Sequence, residues 1–383
     1  MKKALVLLMI VIALAGILTS FRLMEGSEGP GYSIDSLRII YSGGDAAKWP
    51  RPNLDSSVMP GFQDIGALGK PPYPADNPWS KEKEQLGKLL FYDPRLSQSG
   101  QISCASCHDP ELGWGDGRRV SYGHNRQTGR RNAMTVLNTA YYTHLFWDGR
   151  AGSLEEQSVF PVQDPKEMAQ TLTAMVSNVR GIKGYREYFK KAFNSDSVTL
   201  NYIQQAIATF ERSVVSHSSR FDQFVSGKSN ALSNEEVMGM HLFRTKARCI
   251  NCHNTPLFSD NQFHNDGQSL YGAKMQDLGR YETTKDKKDL GVFRTPSIRE
   301  VAQTGPWMHH GNFPTLMDVI EYYNLGNPSP IQKHVVIDSS TLPTTSPILR
   351  KLNLSLEERK CIEAFLRAIS TTPRKPFAPE LPQ

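Results

Sequence analysis

The sequence predicts a mainly α fold with long loops, built as two related halves. Three observations carry that expectation. Two capping boxes, Ser233 with Glu236 and Ser355 with Glu358, open stretches with apolar residues at helical spacing. No strand-rich region with alternating apolar residues is present. A weak internal repeat relates the halves: Gly87-Lys-Leu-Leu-Phe91 stands shortly before Cys104-Ala-Ser-Cys107-His108, and Gly239-Met-His-Leu-Phe243 shortly before Cys249-Ile-Asn-Cys252-His253.

The elements follow in chain order. Lys2 and Lys3 precede an unbroken apolar run of 15 residues, Ala4 to Leu18. It is short for a membrane span of roughly 20 residues and has the length of a signal-peptide core. Residues 1–24 therefore read as a cleaved signal peptide or an N-terminal anchor, with Arg22 close enough to stop a span. No cysteine precedes Cys104, which excludes a lipoprotein anchor. Residues 25–79, rich in Gly, Pro, Ser and Asp, read as a loop-dominated segment. A helix is expected from Ser80, with Leu86, Leu89 and Leu90 on one face, and loops from Asp93 to Thr128. A second helix begins near Thr199 and carries Ile203, Ile207 and Phe210. Ser-rich Ser213 to Asn230 holds the expected boundary between a first domain, 80–220, and a second, 221–383. The capped helices then run from Ser233 to about Phe243 and from Ser355 through Leu356, Ile362, Phe365, Leu366 and Ile369.

Composition narrows the function. The 383 residues are 39% hydrophobic and 21% charged, which excludes a disordered chain. A net charge of +6, with no basic run beyond the N-terminus, gives no footprint for nucleic acid. Five cysteines are too few for a disulfide scaffold. Four of them stand in two C-x-x-C-H motifs, the attachment sequence for c-type haem: the thiols of Cys104 and Cys107, and of Cys249 and Cys252, form thioethers with the haem edge, and His108 and His253 ligate iron. A thioredoxin-type pair wants a βαβ setting that is absent. Disulfides do not account for a histidine after both pairs, whereas a long-range zinc site of four cysteines stays open. Cys361 reads as a small buried hydrophobe.

From about Leu86 to Ile369 the sequence resembles the bacterial di-haem cytochrome c peroxidases and the related MauG proteins. The resemblance rests on Leu90 to Ser97, both C-x-x-C-H motifs, Gly123-His124, Arg131-Asn132, Phe146-Trp147-Asp148-Gly149-Arg150, Leu154 to Gln157, Glu167-Met168, Arg294-Thr295-Pro296, Gly305-Pro306 and His309-His310-Gly311. It implies two cytochrome c-like haem domains, the N-terminal one peroxidatic and the C-terminal one for electron transfer. His108 and His253 match the proximal ligands. Glu167 and Gln157 match the distal residues of the peroxidatic haem, with Glu167 moving the proton that O–O cleavage needs and Gln157 as hydrogen-bond partner. Trp147 matches the aromatic that relays electrons between the haems, and His124 a removable sixth ligand of the peroxidatic iron. Asn132, Thr304 and Pro306 match a calcium site.

The resemblance has one departure. Typical peroxidases carry a Met as distal ligand of the C-terminal haem; Tyr323 stands at that position here, as in the MauG branch. Tyr322, Met308 and Met317 lie nearby as alternatives. A phenolate favours Fe(III) and lowers the potential, whereas a thioether raises it. The implied function is periplasmic reduction of hydrogen peroxide with electrons from a small protein such as cytochrome c. The alternatives are a MauG-like oxidase, in which peroxide-derived high-valent haem modifies a protein substrate, and a non-catalytic di-haem electron carrier. A carrier has no need of a distal acid such as Glu167. Homodimers are common in the family.

Overall fold

In the computed structural model, residues 31–328, 342–371 and 377–383 are described; the apolar run at 4–18 lies outside them. Helices run over Ile34–Ser42 (α1), Lys81–Tyr92 (α2), Leu172–Gly181 (α3), Tyr185–Phe193 (α4), Leu200–Ser213 (α5), Arg220–Val225 (α6), Asn234–Arg244 (α7), Leu316–Asn324 (α8) and Leu356–Ala368 (α9), with single-turn helices at Leu154–Gln157, Phe160–Gln163 and Tyr281–Thr284. Two strands of two residues, Phe263–His264 (β1) and Phe293–Arg294 (β2), pair antiparallel with Phe263 opposite Arg294. The architecture is mainly α, as expected. No helix among the described residues is long and apolar enough to cross a membrane.

The helix starts are dictated by their caps. The Ser80 hydroxyl accepts the Lys83 N–H ahead of α2, and Thr199 accepts that of Tyr202 ahead of α5. Both capping boxes form: Ser233 and Glu236 exchange bonds of 2.8 and 3.2 Å, and Ser355 and Glu358 do the same. Three longer helices lie where the sequence predicts none: α1 falls inside the segment read as loop, and α3 and α4 fall between Thr128 and Thr199. Between Asp93 and Thr128 only isolated 3₁₀ turns occur, so that loop expectation holds.

Two apolar cores organise the chain. The first packs Leu86, Leu89 and Leu90 of α2 against Met175, Val179, Tyr185, Phe189, Ile203 and Ile207. The second gathers Phe221, Phe224, Met240, Phe243, Phe258, Ile362 and Phe365, and also contains Cys361. Leu37, Tyr41, Trp49 and Ile65 join this second core, whereas Asn77 donates to Glu155 and to the Gln205 carbonyl in the first half. Conversely, Leu381 packs on the first core, and the Gln383 carbonyl accepts the Gly184 N–H at 2.8 Å. Residues 37–65 and 381–383 thus each pack on the half distant from them in sequence.

The repeat becomes physical where the helices cross. A Cβ on Gly87 of α2 would lie 1.9 Å from the Ala206 carbonyl oxygen of α5, and one on Gly239 of α7 would lie 1.9 Å from the Cys361 oxygen of α9. In each half a glycine lets backbone touch backbone, with Phe210 or Phe365 beside the crossing. Gly87→Ala and Gly239→Ala are each expected to destabilise the fold by about 1–3 kcal/mol or more through overpacking, despite a gain of about 1 kcal/mol in helix propensity. Denaturant unfolding checks this, and an unchanged midpoint would contradict it.

Candidate haem centres

Two cavities, of about 200 and 220 Å³, lie in the two halves. A single water needs about 10–15 Å³ by the same kind of measure, so each cavity suits a large group rather than one ion. Cys104, Cys107 and His108 line the first, and Cys249, Cys252 and His253 the second. Each motif winds into one 3₁₀ turn, and the histidine N–H returns to the first cysteine carbonyl, at 3.0 Å for His108 and 2.9 Å for His253. That turn places both thiols and the imidazole on one wall. All four thiols are free, and because the pairs line separate cavities they cannot share one zinc ion. Burial pushes the Cys107 thiol up to about 11 and the Cys249 thiol to about 12, opposite in direction to the lowered thiol of a redox dithiol.

The imidazoles are oriented by the same device in both halves. His108 donates through Nδ1 to the Trp114 carbonyl at 3.1 Å, and His253 to the Phe258 carbonyl at 3.1 Å. A carbonyl can only accept, so Nδ1 carries the proton and Nε2 keeps its lone pair for a metal. Burial holds both rings below the usual histidine range, hence neutral. Two thiols, a neutral imidazole with free Nε2 and a large cavity form a donor set that fits haem c, once in each half.

Gln157 and Glu167 line the first cavity with His108. Gln157 ends the single-turn helix capped by Ser153. Glu167 is placed by its backbone: its N–H donates to Asp164 at 3.0 Å, and its carbonyl accepts the His124 N–H at 2.7 Å. Burial pushes the Glu167 carboxyl up to about 7, with Asp164 adding and Arg150 opposing. No hydrogen bond joins Glu167 to Gln157, and neither side chain bonds to another described residue. The His124 imidazole does not line the cavity, although Gly123 does; its Nδ1 is buried without a partner. The structure thus brings Glu167 and Gln157 to the motif and keeps His124 off the cavity wall. The sequence reading missed Glu211, a buried carboxyl on the same cavity whose Oε2 is unpartnered and which burial raises to about 8. Its signal was an acid one helical turn beyond Ile207 on the apolar face of α5.

In the second cavity the structure separates the four ligand candidates. Tyr323 and Met308 line it; Tyr322 and Met317 do not. The Tyr322 hydroxyl is engaged with the Asp266 and Pro328 carbonyls at 3.1 and 3.2 Å, whereas that of Tyr323 has no hydrogen-bond partner among the described residues. Burial, with Asp266 adding, raises the Tyr323 phenol well above its ordinary value. Asn132, Thr304 and Pro306 line this cavity too. Asn132 donates through Nδ2 to the Arg118 carbonyl at 2.8 Å, which turns its Oδ1 away from that carbonyl.

A thin wall divides the cavities. Asn132, Ala133, Met134, Thr135, Tyr142, Trp147 and Arg294 line both. Arg131 anchors the wall with a bidentate pair to Asp277 at 2.7 and 2.8 Å and a bond to Asp148 at 2.6 Å. The Trp147 indole donates to the Asn132 carbonyl at 3.0 Å.

The chain is similar to known proteins. The family profile described as di-haem cytochrome c peroxidase matches residues 81–230. The chain is 37% identical over 335 residues to cytochrome-c peroxidase IdrP1 of Pseudomonas sp. (strain SCT), covering 80% of this chain and 85% of the relative. It is 37% identical over 316 residues to the methylamine utilization protein MauG of Methylophilus methylotrophus, covering 82% and 89%. Among solved structures, a MauG-like protein associated with microbial copper homeostasis superposes with a TM-score of 0.71 at 33% identity, over 79% of this chain and 93% of that one. Matches of this extent, on a chain with two C-x-x-C-H cavities and a shared aromatic wall, establish that it belongs to the di-haem cytochrome c peroxidase family of oxidoreductases.

Proposed function

We propose that this chain is an exported di-haem peroxidase that reduces hydrogen peroxide to two waters, with two electrons from a small redox protein such as a c-type cytochrome and two protons from solvent. The observation that carries the reading is the pairing of Glu167 and Gln157, whose side chains have no hydrogen-bond partner among the described residues, with His108 in one cavity. Haem iron, when bound, supplies the electrophilic site for peroxide. His108, its Nδ1 held by the Trp114 carbonyl, would ligate that iron through Nε2. The Glu167 carboxylate accepts a proton from one peroxide oxygen and returns it to the departing oxygen, which then leaves as water rather than hydroxide. A carboxyl raised to about 7 holds and releases a proton near neutral pH. Gln157 orients the substrate by hydrogen bonding.

In this reading residues 80–220 form the peroxidatic domain and 221–383 the electron-transfer domain, with Leu37, Tyr41, Trp49 and Ile65 of the entry segment packed on the latter. Trp147, on the wall shared by both cavities, relays electrons between them. Asn132 Oδ1 and the Thr304 and Pro306 carbonyls, which accept no hydrogen bond from described residues, supply hard oxygen ligands suited to Ca²⁺. His124 acts as a removable ligand by movement of its loop. Residues 1–24 direct export to the periplasm, by cleavage or as an anchor, and a homodimer is the expected assembly.

One observation favours a second reading. Tyr323 presents an unpartnered hydroxyl to the second cavity. An anionic oxygen ligand there lowers that haem's potential and makes it a weak acceptor from an ordinary cytochrome c. The oxidising equivalents then remain on the protein, as a MauG-like oxidation of a protein substrate requires. Steady-state turnover of peroxide with reduced cytochrome c separates the two: rapid turnover supports the peroxidase, and a long-lived oxidised state with slow donor consumption supports the oxidase.

Glu167→Gln is expected to slow peroxide reduction by about 10²–10⁴-fold while both haems stay attached; wild-type rates would move the proton-transfer role elsewhere. Tyr323→Met is expected to raise the potential of the second haem, and a redox titration unchanged from wild type would remove Tyr323 as its ligand.

A further inference from the structure

Three oxidisable side chains stand in the wall between the cavities: Met134, Tyr142 and Trp147 each line both. Any of them is placed to pass an electron across. One guanidinium touches two of the three. Arg294 Cζ lies 3.7 Å from the centroid of the Tyr142 ring, and Nη2 approaches Met134 Sδ at 3.3 Å. Arg294 does not meet the Trp147 indole; their link is main chain, from the Arg294 N–H to the Trp147 carbonyl at 2.8 Å, with Nε on the Phe146 carbonyl at 3.2 Å. The strand pair β1–β2 fixes the backbone of Arg294 at this spot. The side chain is 2% exposed and pairs with no carboxylate among the described residues. Arg131, close by, is by contrast matched to two aspartates.

We infer that Arg294 is a positioning residue that directs electron transfer between the cavities to Trp147, by making Tyr142 and Met134 hard to oxidise. The inference rests on the di-haem redox reading and adds the choice of relay. Loss of an electron from the Tyr142 ring puts positive charge directly under a desolvated cation, where Coulomb repulsion is strong. A phenol ordinarily escapes that penalty by releasing its proton to a base. The Tyr142 hydroxyl accepts the Ser297 N–H at 2.6 Å and donates to no described acceptor. One of the two sulfur lone pairs of Met134 is held by an N–H of the same cation. Trp147 is treated in the opposite way. Its Nε1–H points at the Asn132 carbonyl oxygen, the negative end of a dipole, which stabilises positive charge on the indole.

The reactions held back are balanced as follows. Tyr142 would give one electron to the peroxide-oxidised haem system and its hydroxyl proton to solvent, leaving a neutral phenoxyl radical. Met134 would take one oxygen atom from hydrogen peroxide and release water, forming the sulfoxide.

The test uses the full haem-loaded protein as wild type, R294Q, R294K and the double variant R294Q/Y142F, matched for haem content. Each is treated with stoichiometric hydrogen peroxide, then freeze-quenched for electron paramagnetic resonance and digested for peptide mass spectrometry. Little tyrosyl signal and little Met134 sulfoxide are expected in wild type, with a several-fold rise of both in R294Q. R294K restores the wild-type pattern because the cation is kept. The tyrosyl signal of R294Q vanishes in R294Q/Y142F. Equal signals in wild type and R294Q, a tyrosyl signal that survives Tyr142→Phe, or R294K behaving like R294Q would overturn the assignment. Should R294Q fail to mature, wild type alone decides: a strong Tyr142 radical or abundant Met134 sulfoxide refutes the guard, and their absence beside a Trp147 radical supports it. If peroxide leaves the haem absorption unchanged in every variant, the peroxidase reading itself fails and takes this inference with it.

Discussion

The imidazoles of His108 and His253 are each held by a single hydrogen bond to a main-chain carbonyl, of Trp114 and of Phe258. Both acceptor residues sit in the left-handed region, with φ of 60° and 58°. A bulky aromatic residue pays for that backbone conformation in strain, and the packing around it must hold it there. Phe258 is fully buried among Phe221, Phe243 and Phe365. Trp114 is clasped by Phe91 and Phe210. The aromatic cores therefore do more than exclude water. They hold the carbonyl that sets the histidine tautomer, and the tautomer decides whether Nε2 can ligate iron.

The same cores begin at the helix crossings. Gly87 and Gly239 bring helix backbones into contact, and Phe210 and Phe365 flank those contacts while reaching toward the motif loops. A crossing defect would be felt at the imidazole through one intervening side chain. Each half thus repeats one physical unit: glycine crossing, aromatic packing, left-handed carbonyl, oriented histidine. The halves differ on the opposite walls of their cavities. The first offers carboxyl groups, Glu167 and Glu211, that desolvation brings near neutrality; the second offers a phenol. In the proposed function that asymmetry gives proton chemistry to one cavity and potential tuning to the other.

Between them the wall is short and electrostatically uneven. Arg131 is neutralised by Asp148 and Asp277 and acts as a brace, whereas Arg294 has no acidic partner among the described residues and projects its charge onto Tyr142 and Met134. Two arginines in one wall thereby have different consequences, decided by their neighbours rather than by their type.

The helices of α2, α5, α7 and α9 were legible because caps and apolar spacing are local properties of a few consecutive residues. α1 was equally marked, by Ser33 as cap and Leu37 with Tyr41 on one face, but the Gly, Pro and Ser content around it outweighed a short signal. The haem donors were legible because their chemistry lies within five consecutive residues. The sequence by itself determined the helix class, the twofold repeat and both attachment motifs. Only the tertiary structure decided which of Tyr322, Tyr323, Met308 and Met317 face a cavity, that His124 does not line the first one, and that Arg294 lies over Tyr142. Those facts depend on contacts between residues distant in the chain, and no local periodicity encodes which side chain a folded loop turns inward.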